Sequence, residues 1–375
     1  MARFIHTSDW QLGMTRHFLG PDAQARFTAA RIDAIKTIGS LAQSKDCPFV
    51  LVCGDVFESN HVERQVVVRA LDAMAATPGV TFYLLPGNHD PLDASSVFTS
   101  PSFLAHKPAN VSVLAELGSV CVAPGLELVA APWSTKRPIV DLLAEATGGL
   151  TADGTMRVAV GHGIVDTFSP DLSNPALIRL ADLDACLASG AIHYVALGDR
   201  HSTTKITEKI WYSGAPEPTD YRETDAGNVL LVEVASDSVS VEPIAVRTWR
   251  FIRHDFELTG SQDCELVKAA LEQVADKTRT IVKLALIGQL SLAQKAYLDE
   301  TLEHYAELFA GMETWERRSE LVVLPDDDDF TKLELSGFAS AAVGDLRQLA
   351  GNDDDQAVIA RDALGLLYRL AGVPQ

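Results

Sequence analysis

The sequence predicts an α/β protein of two sheets packed face to face with helices outside them, followed by a small α+β unit and a helical tail. Three observations predict it. Apolar runs alternate with helix-period segments as βαβαβ over the first ninety residues, short strand candidates follow across residues 111–234, and the texture changes near residue 249. The 375 residues, 47% hydrophobic and 22% charged, suffice for one large core and a satellite domain. The boundaries read 1–248, 249–335 and 336–375.

Each element follows from local pattern. "RFIHTSD" (3–9), "FVLVCGD" (49–55) and "TFYLLPGNHD" (81–90) are apolar runs that each break into a loop at an acid, as buried strands do. Between them, residues 26–44 and 64–76 repeat Ala, Leu, Ile and Val at three and four spacing, the period of a half-buried helix. Further strands are expected at 111–114, 126–131, 157–161, 194–197, 209–212 and 229–234; their short connections make the second half read as more antiparallel than the first. Residues 249–258 and 280–287 read as strands around a helix at 264–275. The remainder is helical and acidic, interrupted by "PDDDDF" (325–330) and "GNDDDQ" (351–356), which lack the spacing of a calcium loop and read as solvated. Residues 356–370 form an amphipathic helix with Val358, Ile359, Leu364, Leu366, Leu367 and Leu370 available for one broad face.

Composition narrows the function classes. No run reaches the roughly 18 apolar residues of a membrane span, and the first residues enter strand-like sequence without a leader pattern, so no membrane association and a cytoplasmic location are expected. Five scattered cysteines, never spaced CxxC, indicate neither a disulfide framework nor a zinc ribbon. The net charge of −20 argues against strong autonomous DNA binding, which leaves a basic footprint, but not against metal sites, which need carboxylates.

Chemistry collects just past the apolar strands: Asp9 and Gln11, Asp55, Asn88 with His89 and Asp90, His162 in "VGHG", and Asp199 with His201 in "LGDRHS". Taken singly, each has a plain reading as helix cap, turn or scaffold histidine. Five loops in this order, each following an apolar run, form a constellation of oxygen and nitrogen donors held by sheet ends.

The series D-x-Q, GDVFE, GNHD, GHG and GDRH resembles the five motifs of the calcineurin-like metallophosphoesterases. More narrowly, "IHTSDWQLG", "LLPGNHD", "ALGDRH" and "WYSGAPEPTDYRETDAGN" resemble the Mre11 and SbcD group of DNA repair nucleases, in particular its YhaO-type exonucleases, over residues 1–250. The resemblance implies a four-layer αββα sandwich with a small C-terminal capping domain. It implies one divalent ion at Asp9, Gln11, Asp55 and His201, and a second at Asp55, Asn88, His162 and Asp199, with Asp55 bridging. His89 would serve the leaving oxygen, with Asp90 orienting its imidazole. Two ions about 4 Å apart suit a phosphodiester because they neutralise its oxygens and generate a nucleophile at neutral pH.

Two positions depart from the family pattern. Gln11 and Asp199 stand where it has histidines, and both changes replace nitrogen by oxygen, which favours Mn²⁺ or Mg²⁺ over zinc-like ions. The rival reading is decay of the first ion's site. Arg16 and His17, and His61 and Arg64, follow the first two motifs and are candidates for substrate phosphate or plain solvated residues. Trp133 is expected in the core, and the turn at 212–216 beside the fifth motif. By resemblance, residues 250–330 cap the cleft, residues 356–370 bind an SMC-like ATPase of the SbcC or Rad50 type, the substrate is DNA, and helices of the core pair two copies. Three functions stay open: a DNA exonuclease or endonuclease subunit, a phosphoesterase for a small nucleotide or phosphoprotein, and a scaffold for the ATPase.

Overall fold

The computed structural model describes residues 1–323, 337–350, 352 and 355–371. The chain divides into two units: Met1–His17 with Gln24–Arg250, and Phe18–Ala23 with Phe251–Gln375.

The first unit contains two six-stranded sheets. Its elements run β1 (Ala2–Thr7), α1 (Pro21–Ser44), β2 (Phe49–Cys53), α2 (Arg64–Ala75), β3 (Thr81–Leu85), α3 (Pro101–His106), β4 (Val111–Val113), β5 (Gly118–Ala123), β6 (Leu126–Ala130), α4 (Leu142–Thr147), β7 (Met156–His162), α5 (Leu180–Ala188), β8 (Tyr194–Gly198), β9 (Thr204–Lys205), β10 (Ile210–Tyr212), β11 (Asn228–Val234) and β12 (Val239–Ala245). One sheet has the order β12-β11-β1-β2-β3-β4 and the other β5-β6-β7-β8-β10-β9.

Alternation along the strands explains the layering. In β1, Phe4 faces the space between the sheets, where it joins Phe49, Leu51, Val158, Val160 and Tyr194, while Ile5 faces out beneath α1 and α2 with Val50, Val52, Ile38 and Leu71. The second sheet buries Val129, Ala159, Val195 and Leu197 under α4 and α5, against Leu143 and Leu183. Strands covered on both faces read as continuous apolar runs, as these do. The result is a four-layer αββα sandwich. His6 ties the two sheets together: its ring is fully buried and meets the Tyr194 hydroxyl at 3.1 Å and the Leu197 carbonyl at 3.1 Å. Burial lowers its pKa to about 3, so it is a neutral structural histidine.

As expected, the second half is the more antiparallel: β5-β6, β9-β10, β11-β12 and β1-β11 are antiparallel pairs. The centre of the second sheet is nonetheless parallel. The pairs β6-β7, β7-β8 and β8-β10 are parallel, as are β1-β2, β2-β3 and β3-β4 in the first sheet. Parallel neighbours require crossovers, and α4 and α5 supply two of them. At six and nine residues these helices are too short for a strong apolar period.

The second unit carries β13 (Arg250–Leu258), α6 (Ser261–Glu272), β14 (Thr280–Leu290), α7 (Leu292–Leu308), β15 (Gly311–Thr314) and β16 (Glu320–Val323), then α8 (Phe338–Ala350) and α9 (Asp355–Ala371). β14 is central, with β13, β15 and β16 as its neighbours. A Ser291 capping box starts α7. In α9, Leu364 and Ala360 are buried, while Val358, Ile359 and Leu366 are exposed at 55%, 68% and 51%. The expected single apolar face is therefore split between a packed and an open side. The 325–330 acidic run and residues 351, 353 and 354 lie outside the described residues. Among the described residues no helix is long and apolar enough to cross a membrane.

Candidate metal centre

The ends of β1, β2, β7 and β8, with the turn after β3, place the five motifs together. The first loop is zipped onto the second: Asp9 N–H donates to Gly54 O at 3.0 Å, Gln11 N–H to Asp55 O at 2.9 Å and Leu12 N–H to Val56 O at 3.0 Å. Arg31, buried on α1, clamps this loop from behind by donating to the Trp10 and Pro218 carbonyls. The fourth and fifth loops are joined by Gly163 N–H to Gly198 O at 3.1 Å.

Backbone conformation marks the same residues. Six non-glycine residues have positive φ among the described residues, and four of them are Asp9, Gln11, Asp55 and Asp199. Side chains seldom occupy that region, so its concentration here indicates loops held against local preference for the sake of the site. Close approach also dictates glycine. A Cβ on Gly54 would lie 2.1 Å from His162 Nδ1, and one on Gly87 2.3 Å from Asp55 Oδ1.

The donors form two groups that share Asp55. In one, His162 Nε2 lies 2.7 Å from Asn88 Oδ1, 3.4 Å from Asp55 Oδ1 and 3.7 Å from Asp199 Oδ1. In the other, His201 Nε2 lies 3.1 Å from the Gln11 amide nitrogen and 3.9 Å from Asp9 Oδ1. Single ligand atoms of Asp9, Asp55 and His162 all lie within 4.8 Å of one another, close enough to share an ion. Both histidines are oriented alike. His162 Nδ1–H donates to the Cys53 carbonyl at 2.9 Å, and His201 Nδ1–H faces Thr219 Oγ1 at 2.7 Å and Glu223 Oε1 at 3.0 Å. Each Nε2 lone pair is thereby turned toward the carboxylates, the arrangement a metal-ligating imidazole requires.

Electrostatics reflects carboxylates crowded into a buried place. Burial raises the Asp9 pKa, with Asp55 adding to it and His201 and His162 opposing. Burial also pushes Asp199 up to about 6. For Asp55 the same burial is overridden by the His162 ring, and the net shift is downward. Burial disfavours a charged His162 and a charged His201, yet the surrounding carboxylates win: His162 is held well above its usual value, and His201, bonded to Glu223, is raised to about 9. A cation would relieve this repulsion and take the place of these protons.

One buried atom tests the fit to a metal directly. Gln11 is 3% exposed, and its Oε1 has no hydrogen-bond partner. A buried carbonyl oxygen left bare costs about 1–3 kcal/mol unless something binds it. With Asp9, Asp55 and His201 beside it, the donor set fits a divalent ion.

Not every expectation survives. Asp90 does not orient the His89 imidazole. Its buried carboxylate accepts from Phe57 N–H at 2.9 Å and Gly87 N–H at 2.8 Å, so it fastens the third motif to the second; burial raises its pKa to about 7. His89 Nδ1–H instead donates to the Glu58 carbonyl at 2.9 Å, and its Nε2 stands 4.0 Å from Asp55 Oδ2. Trp133 is half-buried and donates to the His162 carbonyl at 2.7 Å, so it steadies the fourth motif. The 212–216 turn lies beside the fifth motif, with Ala215 N–H on His201 O at 3.0 Å. Of the phosphate candidates, Arg16 donates to the Thr219 carbonyl, close to the His201 partners. His17, His61 and Arg64 are exposed. The structure gives His61 and Arg64 no side-chain bond to the cluster. Sequence reasoning missed Glu223 and Thr219, the partners of His201; the nearest signal was the acid in "YRETD".

Residues 2–202 match the calcineurin-like phosphoesterases, and the chain belongs to that family. The family is one of phosphoester hydrolases, and it implies divalent metal ions at this site. The chain is 29% identical over 93 residues to the SbcD component of the nuclease SbcCD of Rhodobacter capsulatus, a match that spans 24% of this chain and 22% of that protein. Two solved structures are similar, each with a TM-score of 0.38 and covering 64% of this chain and 98% of theirs: TT1561 of Thermus thermophilus, at 8% identity, and a dimetal phosphatase from Danio rerio, at 12%.

Proposed function

We propose that the protein is a metal-dependent DNA exonuclease or endonuclease subunit that hydrolyses phosphodiester bonds in DNA repair. The observation that carries the hydrolytic part is the pair of donor groups sharing Asp55, one holding the bare buried Gln11 Oε1. Asp9, Gln11, Asp55 and His201 would hold one ion, and Asp55, Asn88, His162 and Asp199 the other. Two divalent ions supply Lewis acidity, neutralising phosphate oxygens and making water acidic enough to attack at neutral pH. The oxygen-rich donor set favours Mn²⁺, with Mg²⁺ as the alternative. His89, with Nδ1–H fixed on Glu58 O, presents Nε2 near Asp55 to protonate or hydrogen-bond the leaving oxygen.

The DNA assignment is supported by the likeness to the SbcD component of SbcCD and by the motif series of residues 1–250. On the same basis we assign residues 249–335 as a cap on the substrate cleft and residues 336–375 as the segment that binds an SMC-like ATPase, where Val358, Ile359 and Leu366 offer an apolar surface. A homodimer and a cytoplasmic location belong to the same reading. A net charge of −20 suits a subunit whose DNA affinity comes from its partner and its metals. That charge also fits a small-substrate phosphodiesterase, the second reading.

Purified protein incubated with Mn²⁺ and either single-stranded or duplex DNA should release nucleotides or fragments, more so with its ATPase, and Asp55→Asn should release none. Turnover of a small diester with no DNA cleavage under any condition supports the second reading instead.

A further inference from the structure

The fifth motif contains one residue the metal centre does not use, Arg200, between Asp199 and His201. It opens on a shallow cavity of about 250 Å³ lined also by Asp199, His201, Asp220, Arg222 and Glu223. Every other charged group there is engaged. Arg222 Nε is 3.1 Å from Asp220 Oδ1, Glu223 holds His201 and Thr219, and Asp199 faces His162. Arg200 alone has no carboxylate partner among the described residues. Its Nε donates to Thr204 Oγ1 at 3.3 Å, its guanidinium lies 4.4 Å over the Phe168 ring, and its two Nη nitrogens are unbonded.

The platform beneath Arg200 is fixed. Phe168 packs edge-on against Tyr212 at 6.4 Å, and the Tyr212 hydroxyl bonds both Gly163 O and Val165 N–H, at 2.8 and 2.9 Å. The stack thus joins the segment after His162 to the loop that carries His201, while Phe168 remains 39% exposed. A half-buried, unpaired guanidinium in a chain of net charge −20 is conspicuous, since acids to neutralise it are plentiful. Stacked in advance, it loses little freedom when an anion binds, and the open ring beside it gives a nucleobase a stacking surface.

We propose that Arg200 and Phe168 form a nucleotide subsite beside the metal centre, which holds the phosphodiester next to the one being cleaved in a polynucleotide. This rests on the nuclease reading above and adds the residues that select a strand over a small diester. A single-phosphate substrate lacks the second anion and gains little from Arg200.

The test compares kcat/KM of the full-length protein with Mn²⁺ on a single-stranded oligonucleotide and on bis(p-nitrophenyl) phosphate. Arg200→Gln should lower the oligonucleotide value about tenfold or more, chiefly through KM, with a loss at least fivefold smaller on the diester. Arg200→Lys, which keeps the charge without the planar fork, should fall between, with the thermal midpoint of both variants unchanged. Equal losses on both substrates, or wild-type cleavage of the oligonucleotide by Arg200→Gln, overturn the subsite alone. Wild-type turnover of the diester without oligonucleotide cleavage overturns the nuclease reading and the subsite together.

Discussion

The two donor groups around Asp55 use the same residue types in different settings. His162 is wholly buried, its Nδ1–H rests on a backbone carbonyl of β2, and Asn88, Asp55 and Asp199 close around its Nε2. His201 has a quarter of its side chain exposed, its Nδ1–H rests on the side chains of Thr219 and Glu223, and its companions are Asp9 and the neutral Gln11 amide. The first group is held by the sheet, the second by a loop that returns from residue 219. A site held by backbone keeps its geometry under substitution, whereas one held by side chains depends on each of them. The His201 group should therefore bind its ion more weakly and be the adjustable half of the pair.

The largest effect is expected where the groups meet. Asp55→Asn should abolish metal binding at both and eliminate hydrolysis; retention of one tight ion would break the idea of a shared residue. His89→Gln should spare both metals and still lower turnover by about 10²-fold or more, the scale of a lost general acid. If its turnover equals that of wild type, His89 has no role at the leaving oxygen. Glu223→Ala should weaken the His201 ion by about 10- to 100-fold and leave the other within error, because it removes an acceptor that orients only that ring. Equal weakening of both ions would remove the distinction between the groups.

Acidity tests the His201 ion itself more gently. With its pKa raised to about 9, His201 carries a proton at neutral pH in the metal-free protein, and the ion must displace it. Affinity at that group should rise with pH, by about tenfold per unit at most, and level off above about pH 9. Calorimetry in buffers of different ionisation enthalpy would record the released proton; binding independent of pH between 6 and 9 would contradict it.

Much of this was legible in the sequence, because the informative features are local. Apolar runs ending at Asp9, Asp55, Asn88, His162 and Asp199 announce strands that stop at a common edge, and the βαβαβ start follows from period alone. The parallel centre of the second sheet was not legible, since α4 and α5, at six and nine residues, are too short to show a helical period. Asp90 was misread because its sequence neighbour, His89, is not its partner in space: adjacent side chains on a tight turn diverge, and Asp90 turns inward to the Gly87 and Phe57 amides. Glu223 could not be placed either, as its meeting with His201 depends on how the loop after β10 folds back. Arg200 was hidden inside the motif, at a position whose neighbours drew attention to the metals.

The central claim, two unequal ions sharing Asp55, is tested most directly by Mn²⁺ titration of the metal-free protein followed by calorimetry, beside Gln11→His. Two sites of different affinity should appear, and an imidazole at position 11 should tighten the weaker one while leaving the stronger unchanged. No binding at millimolar Mn²⁺, or two affinities indifferent to Gln11→His, would contradict the account.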